Sequence, residues 1–187
     1  MIKDLHTLPA NLPVPVDDGA CDHLLGSMLP SISLMSTSGE SIDISTYAST
    51  LVIYFYPMLG RPDSAPLIGW NEIPGARGCT PQTGAFRDGY AEMKQFGVEV
   101  FGVSAQSLTD QQEAHARLHL PFALLHDGEL ALTLALKLPT FEYEGLRLIK
   151  RLSIIATGGV IRKVFYPVFP PDKNASEIIA WLSARAV

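Results

Sequence analysis

The chain is short of cysteine and charge and has no long apolar run, and each shortage removes a class of function. Two cysteines in 187 residues cannot build a disulfide framework. No Cys-x-x-Cys occurs, which disfavours thioredoxin-type disulfide exchange. Charged residues make up only 18% and the net charge is −5. With no lysine or arginine cluster, nucleic acid and anionic membranes are poor candidates for partners. No stretch approaches the ~20 apolar residues of a membrane span. Met1 to Pro9 mixes charge and proline, unlike the hydrophobic region of a secretory signal. Nucleotide-cradling fingerprints are missing as well, so Gly158-Gly159 reads as a hairpin turn. His115 and His119 have metal-ligand spacing but no third partner in sequence, and neither a metal nor another cofactor is expected. A reducing cytoplasm is the expected home, and there a cysteine is more often catalytic or redox-sensing than structural.

Apolar material, in contrast, is plentiful. Hydrophobic residues reach 47%, enough for the core of one domain over 1–187. Prolines at 9, 13, 15 and 30 mark an irregular lead-in over about residues 1–30. Ser31–Met35 and Ser41–Ile44 alternate polar and apolar around Gly39, predicting a hairpin. Leu51–Tyr56 and Val98–Ser104 read as buried strands, with a shorter one at Phe122–Leu125. Between the first two runs a long segment from Met58 to Gly78, punctuated by Pro62, Pro66, Pro74 and four glycines. Loops of that length usually carry function. Phe86, Tyr90 and Met93 share one face of a helix that starts near Cys79. Thr109 with Gln112 predicts a capped helix reaching Leu118, and Asn174 with Glu177 a capped final helix carrying Ile178, Trp181 and Leu182. Glu129–Leu138 reads as a helix with a Leu130, Leu134, Leu138 core stripe. Leu152–Ala156 and Val160–Tyr166 form a second hairpin. Strands alternating with helices, plus hairpins, predict an α/β fold with a mixed sheet covered by helices.

Cys79 stands where this pattern passes from a strand through a loop into a helix. The unpaired N–H groups of a first helical turn favour negative charge there. A free thiol has a pKa near 8.5, so thiolate chemistry at neutral pH needs a shift of about two units, nearly 3 kcal/mol. A helix N-terminus supplies roughly 0.3–1 kcal/mol, or about 2 when partly buried. A guanidinium about 4 Å away adds up to ~4 kcal/mol at an effective dielectric near 20, before desolvation. A nearby arginine therefore decides the sum, and Arg77 is the one close in sequence.

Phe55-Tyr-Pro57, Gly78-Cys-Thr-Pro-Gln82 with Phe86-Arg-Asp88, Val98–Ser104, Pro121–Asp127 and Arg151–Ile155 occur in an order that resembles a peroxiredoxin. The likeness is to the Q-type, or bacterioferritin-comigratory, subgroup and spans roughly residues 28–182. It implies a thioredoxin-like fold and reduction of hydrogen peroxide and organic hydroperoxides. Cys79 falls at the peroxidatic position, and Arg151 at the arginine that stabilises thiolate and peroxide. Pro57, Gly78 and Thr80 fall in the substrate pocket. Two positions depart from the family pattern. The threonine three residues before the cysteine is Ala76 here, which leaves Thr80 or Thr83 as the hydroxyl by type. The resolving cysteine, often five residues after the first, is replaced by Gly84. The resemblance then implies a one-cysteine cycle in which thioredoxin, glutaredoxin or glutathione reduces the sulfenic acid, in a monomer or homodimer. Without those departures filled, a non-enzymatic redox sensor or binding protein using Cys79 as a switch is the alternative. Cys21 reads as a small lead-in residue with no resolving role.

Overall fold

The computed structural model describes residues 5–64 and 67–185; the first four residues of the lead-in and Pro66 of the long loop lie outside them. Around Gly39 the chain folds β1 (Ser33–Ser36) back on β2 (Ser41–Asp43), as the alternation predicts. β3 (Thr50–Phe55) feeds the long loop and then α1 (Cys79–Gln95), which returns the chain to β4 (Val98–Ser104). α2 (Leu108–Arg117) leads on to β5 (Leu124–His126), and β3, β4 and β5 pair in parallel. After α3 (Ala131–Ala135), β6 (Thr140–Tyr143) and β7 (Leu146–Ile149) make a separate ribbon. The Gly158-Gly159 turn joins β8 (Leu152–Thr157) to β9 (Val160–Phe165), and α4 (Asn174–Ser183) follows. The seven-stranded sheet runs β2-β1-β5-β4-β3-β8-β9. Its centre is parallel and both flanks antiparallel.

The period of two along β3 sends neighbouring side chains to opposite faces. Leu51, Ile53 and Phe55 pack with Leu24 of the lead-in and Leu132 and Leu136 of α3. Val52, Tyr54 and Tyr56 pack with Phe86 of α1, Ala114 and Leu118 after it, and Ile178 of α4. Tyr54 is the anchor on that second face. Its ring stacks on Phe86 at 4.2 Å and its hydroxyl donates to Thr83 Oγ1 at 3.3 Å. Gly102 on β4 makes room, because a Cβ there would sit 2.6 Å from the tyrosine ring.

Several expectations are corrected at element ends. α2 is capped by Ser107, whose Oγ accepts from Asp110 N and donates to Asp110 Oδ2, in place of Thr109 with Gln112. The Asn174–Glu177 cap does not form. Asn174 is already helical, and its buried side chain is taken by other partners described below. The third helix is half the expected length. Asp127 accepts from Leu132 N at 3.1 Å, Thr133 N at 2.9 Å and Thr133 Oγ1 at 2.6 Å, which starts the helix after Leu130. The face turned inward is consequently Leu132 and Leu136, while Leu134 is 55% exposed. The Phe122–Leu125 strand begins two residues later than expected, since Phe122 packs under Tyr54 edge-on. The β6–β7 ribbon escaped the sequence reading, although Glu144-Gly145 is a turn signal.

Asp127→Ala should release two backbone N–H groups in a buried position. Hydrogen bonds to a charged acceptor are worth about 1.5–3 kcal/mol, so a loss of about 3 kcal/mol and a fall of roughly 6–12 °C in Tm are expected. An unchanged melting curve by circular dichroism would refute the capping role.

Candidate active site

α1 begins on Cys79 because Gly78 can take a conformation that other residues resist. Its φ is 109°, and a Cβ there would collide with the Pro171 ring and sit 2.9 Å from Leu8. Pro81, in the first helical turn, needs no hydrogen-bond partner for its missing N–H. Among the described residues no side chain caps this N-terminus, and Cys79 is the first residue of the helix, the end that favours negative charge. Cys79 is 3% exposed.

Arg151, at the junction of β7 and β8, is also 3% exposed. Its Nη2 lies 3.3 Å from Cys79 Sγ. The same guanidinium donates to three successive carbonyls that end the long loop, Gly75 O at 3.3 Å, Ala76 O at 3.1 Å and Arg77 O at 3.3 Å. Its Nη1 donates to Gln82 Oε1. Among the described residues Arg151 enters no ion pair with a carboxylate. A buried cation without a counter-charge is costly, and a thiolate at Cys79 would supply that charge. At 3.3 Å the attraction is about 5 kcal/mol at an effective dielectric near 20, before desolvation. That exceeds the helix contribution of about 1 kcal/mol.

Cys79 opens onto a cleft of about 350 Å³, within the size range of small-molecule sites. Gly78 and Thr80 line it, together with Met58, Leu59, Trp70 and Arg77. Thr83 does not, because its hydroxyl is engaged by Tyr54 behind the helix. Pro57 does not line it either. It is buried one step back, with its carbonyl accepting from Ser104 Oγ at 2.9 Å, and the next residues form the wall. Gln106 shapes that wall by pairing both its amide atoms with the backbone of Leu59, at 2.8 and 3.0 Å. Ala76 is fully buried against Trp70, Tyr143 and Leu148. The inserted loop thus packs on the β6–β7 ribbon. Trp70 meets Tyr143 edge-on at 4.9 Å, and Tyr143 Oη donates to Ile68 O at 2.9 Å. Arg61 at the mouth is committed to Asp63 and Asp110.

Cys21 lies on the other side of the sheet, among the residues that pack with Leu51 and Ile53. Burial, then the carboxylates of Asp18, Asp17 and Asp22, push its thiol up to about 12. It stays protonated at neutral pH and is no nucleophile. Gly84, in α1, has open space where a Cβ would stand. Gln82 was missed by the sequence reading, although its spacing of three from Cys79 puts both on one helix face. Ser153 and Asn174 lie behind it; in sequence Asn174 reads as a helix cap, and neither residue carries a signal for this place. Among the described residues no group of three or more metal-ligating side chains converges, and no helix is long and apolar enough to cross a membrane.

Arg151→Met should slow alkylation of Cys79, by about tenfold on the acid limb of the profile for each unit the titration moves, with the difference vanishing at high pH. Cys21 should stay unmodified up to about pH 8. Equal rates for variant and parent, followed by peptide mass spectrometry, would move the activating charge elsewhere.

A Redoxin family model matches residues 24–179. Chloroplastic peroxiredoxin Q of Suaeda salsa is 28% identical over 160 residues, covering 85% of this chain and 67% of that protein. The Gentiana triflora protein of the same name is 25% identical over 189 residues, covering 98% and 80%. The chain spans about two thirds of the length of several of these plant relatives. Peroxiredoxin Q of Xanthomonas campestris shares the fold with a TM-score of 0.67 at 23% identity, over 94% of this chain and 99% of that one. Peroxidoxin BcpB of Mycobacterium tuberculosis gives 0.68 at 20%, over 86% and 97%. The fold is thioredoxin-like, α/β with a mixed sheet flanked by helices. With the match running through both Cys79 and Arg151, the chain belongs to the Redoxin family, and the relatives it resembles are peroxiredoxins of the Q type.

Proposed function

We propose that this protein is a thiol-dependent peroxidase that reduces hydrogen peroxide and organic hydroperoxides through Cys79 in a one-cysteine cycle. The observation that carries the reading is the buried Arg151 guanidinium, which has no carboxylate partner among the described residues and lies 3.3 Å from Sγ. The peroxiredoxin Q names of its relatives support the same chemistry. So does a Xanthomonas campestris neighbour studied for alkyl peroxide reduction.

The Cys79 thiolate attacks the terminal oxygen of the hydroperoxide. An S–O bond forms as the O–O bond breaks, and the departing oxygen takes a proton to leave as water or alcohol. Arg151 is set to stabilise charge on sulfur and on the oxygens during transfer. Thr80, at the cleft floor beside Cys79, is our choice for the hydroxyl that orients the peroxide where Ala76 cannot. The resulting sulfenic acid has no internal partner. Gly84 offers no thiol, and Cys21 is across the sheet and protonated. An external thiol condenses with it, releasing water and leaving a mixed disulfide. A second thiol then frees Cys79. Thioredoxin, glutaredoxin or glutathione fills that role in our reading, in a reducing cytoplasm and with the protein as a monomer or homodimer.

Cys79→Ser should abolish peroxide consumption with the fold intact, since oxygen replaces sulfur at nearly equal volume. One equivalent of hydrogen peroxide should convert Cys79 to a dimedone-trappable sulfenic acid without an intrachain disulfide. Excess peroxide should then drive it to sulfinic acid. Gly84→Cys should restore an internal disulfide and suppress that over-oxidation, once the first turn of α1 opens to bring the two residues within about 7 Å. A Cys21–Cys79 linkage as the main product by mass spectrometry would refute the one-cysteine cycle. Oxidation that stalls with every thiol donor would instead identify a redox sensor.

A further inference from the structure

Behind Arg151 a chain of buried neutral side chains runs to the start of α4. Gln82, fully buried, accepts from Arg151 Nη1 through Oε1. Its Nε2 donates to Asn174 Oδ1 at 3.0 Å. The same Asn174 oxygen accepts from Ser153 Oγ at 2.6 Å. Asn174 is fully buried too, and among the described residues its Nδ2 has no hydrogen-bond partner.

The direction of this chain is imposed by the guanidinium. Arginine has only donors, so Gln82 must present its oxygen to Arg151 and its nitrogen away. The next group must therefore accept, which turns the Asn174 oxygen inward and strands its amide nitrogen. A buried donor left unmade is disfavoured. Aspartate would accept from both donors and leave nothing stranded. It would also place a second anion within reach of the Arg151 charge, in competition with sulfur.

We infer that Asn174 is a positioning residue: it fixes the Gln82 amide, and through it Arg151, while keeping the relay uncharged so that Cys79 remains the guanidinium's anion. The inference rests on the Cys79–Arg151 reading above but not on peroxide turnover. The other charged and titratable groups around Cys79 are Arg77, Arg61 and Asp110 lining the cleft, and Tyr54 and Tyr56 packed beneath. Asp172, Lys173 and Glu177 lie on and before the first turn of α4.

The test is the pH profile of Cys79 alkylation by iodoacetamide, read by mass spectrometry on the full chain. Asn174→Asp keeps both acceptor bonds, so its melting temperature should match or exceed the parent. Its alkylation should nevertheless be slower at pH 7, the deficit growing to about tenfold on the acid limb of the profile and vanishing at high pH as the profile moves up one unit. A purely structural role predicts the parental profile in that variant. Asn174→Ser, which retains an uncharged oxygen, should largely restore the parental profile. Should the aspartate variant not fold, Ser153→Ala removes one donor at little cost in volume and should slow the pH 7 rate by about twofold to threefold. A folded Asn174→Asp protein with the parental profile would overturn the proposal, as would an unaltered Ser153→Ala profile if that variant alone folds. Peroxide turnover that fails in the parent, with the alkylation shift intact, would count against the peroxidase reading alone.

Discussion

A guanidinium buried beside a thiol at the end of a helix is the constraint around which the rest of this molecule is arranged. Arg151 and Cys79 are both 3% exposed, so their charges face little water and each depends on the other. The sheet makes that possible. β8 is antiparallel to β3, which brings the start of β8, with Arg151 just before it, next to the end of β3 from which the active-site loop departs. Tyr54 on β3 then holds the second turn of α1 through Phe86 and Thr83. Thus one strand pairing and one aromatic stack set the distance between cation and sulfur. Loosening either would cost reactivity before it cost the fold, since the remaining core lies on two faces of a seven-stranded sheet.

Much of this was legible in the sequence because the signals were periodic. β3, β4, β8 and β9 lie within a residue of where their apolar runs predicted, and α1 begins on Cys79 itself. Cys79 and Arg151 were readable only through the spacing of several separated motifs, because neither residue has a local signature that distinguishes it from a buried thiol or a strand-end charge. Failures cluster where a side chain does something other than its commonest job. Asn174 fits a capping pattern by type, yet tertiary partners outbid the backbone for its oxygen. The third helix follows an apolar stripe in sequence, yet the Asp127 carboxylate chooses its first residue, and Leu134 of the stripe turns outward while Leu138 stays in the core and Leu130 packs against it. Such choices depend on contacts far apart in the chain, which no local window contains.

The inserted loop between β3 and α1 shows how a site tolerates added chain. Twenty-one residues from Met58 to Gly78 separate the strand from the cysteine, but the loop's last residues are nailed down by the cation itself. Carbonyls 75, 76 and 77 all point at Arg151. The upstream part is held by Gln106 on Leu59 and by the β6–β7 ribbon on Trp70 and Ile68. The loop is therefore fixed at both ends, where it borders the cleft over Cys79. Ala76 illustrates the consequence. Its carbonyl serves the guanidinium, while its methyl group packs into the cluster that roofs the cleft. A hydroxyl in that position would face the apolar side chains of Trp70, Tyr143 and Leu148, whereas Thr80 lines the cleft.

The two cysteines show that environment, not residue type, assigns reactivity. Both are buried and both are free thiols. Cys21 sits among carboxylates and apolar side chains, and both push its thiol toward the protonated form. Cys79 has no carboxylate partner among the described residues; it stands at a helix N-terminus with a guanidinium nitrogen 3.3 Å from its sulfur. The sheet lies between them. Even a fully oxidising medium would have to unfold one face of that sheet to join them, so the separation that lets Cys79 be reactive also denies it a partner within the chain. On the one-cysteine reading proposed above, a sulfenic acid formed there would wait for a thiol from outside, and the cleft over Cys79 is the opening through which such a thiol would reach it.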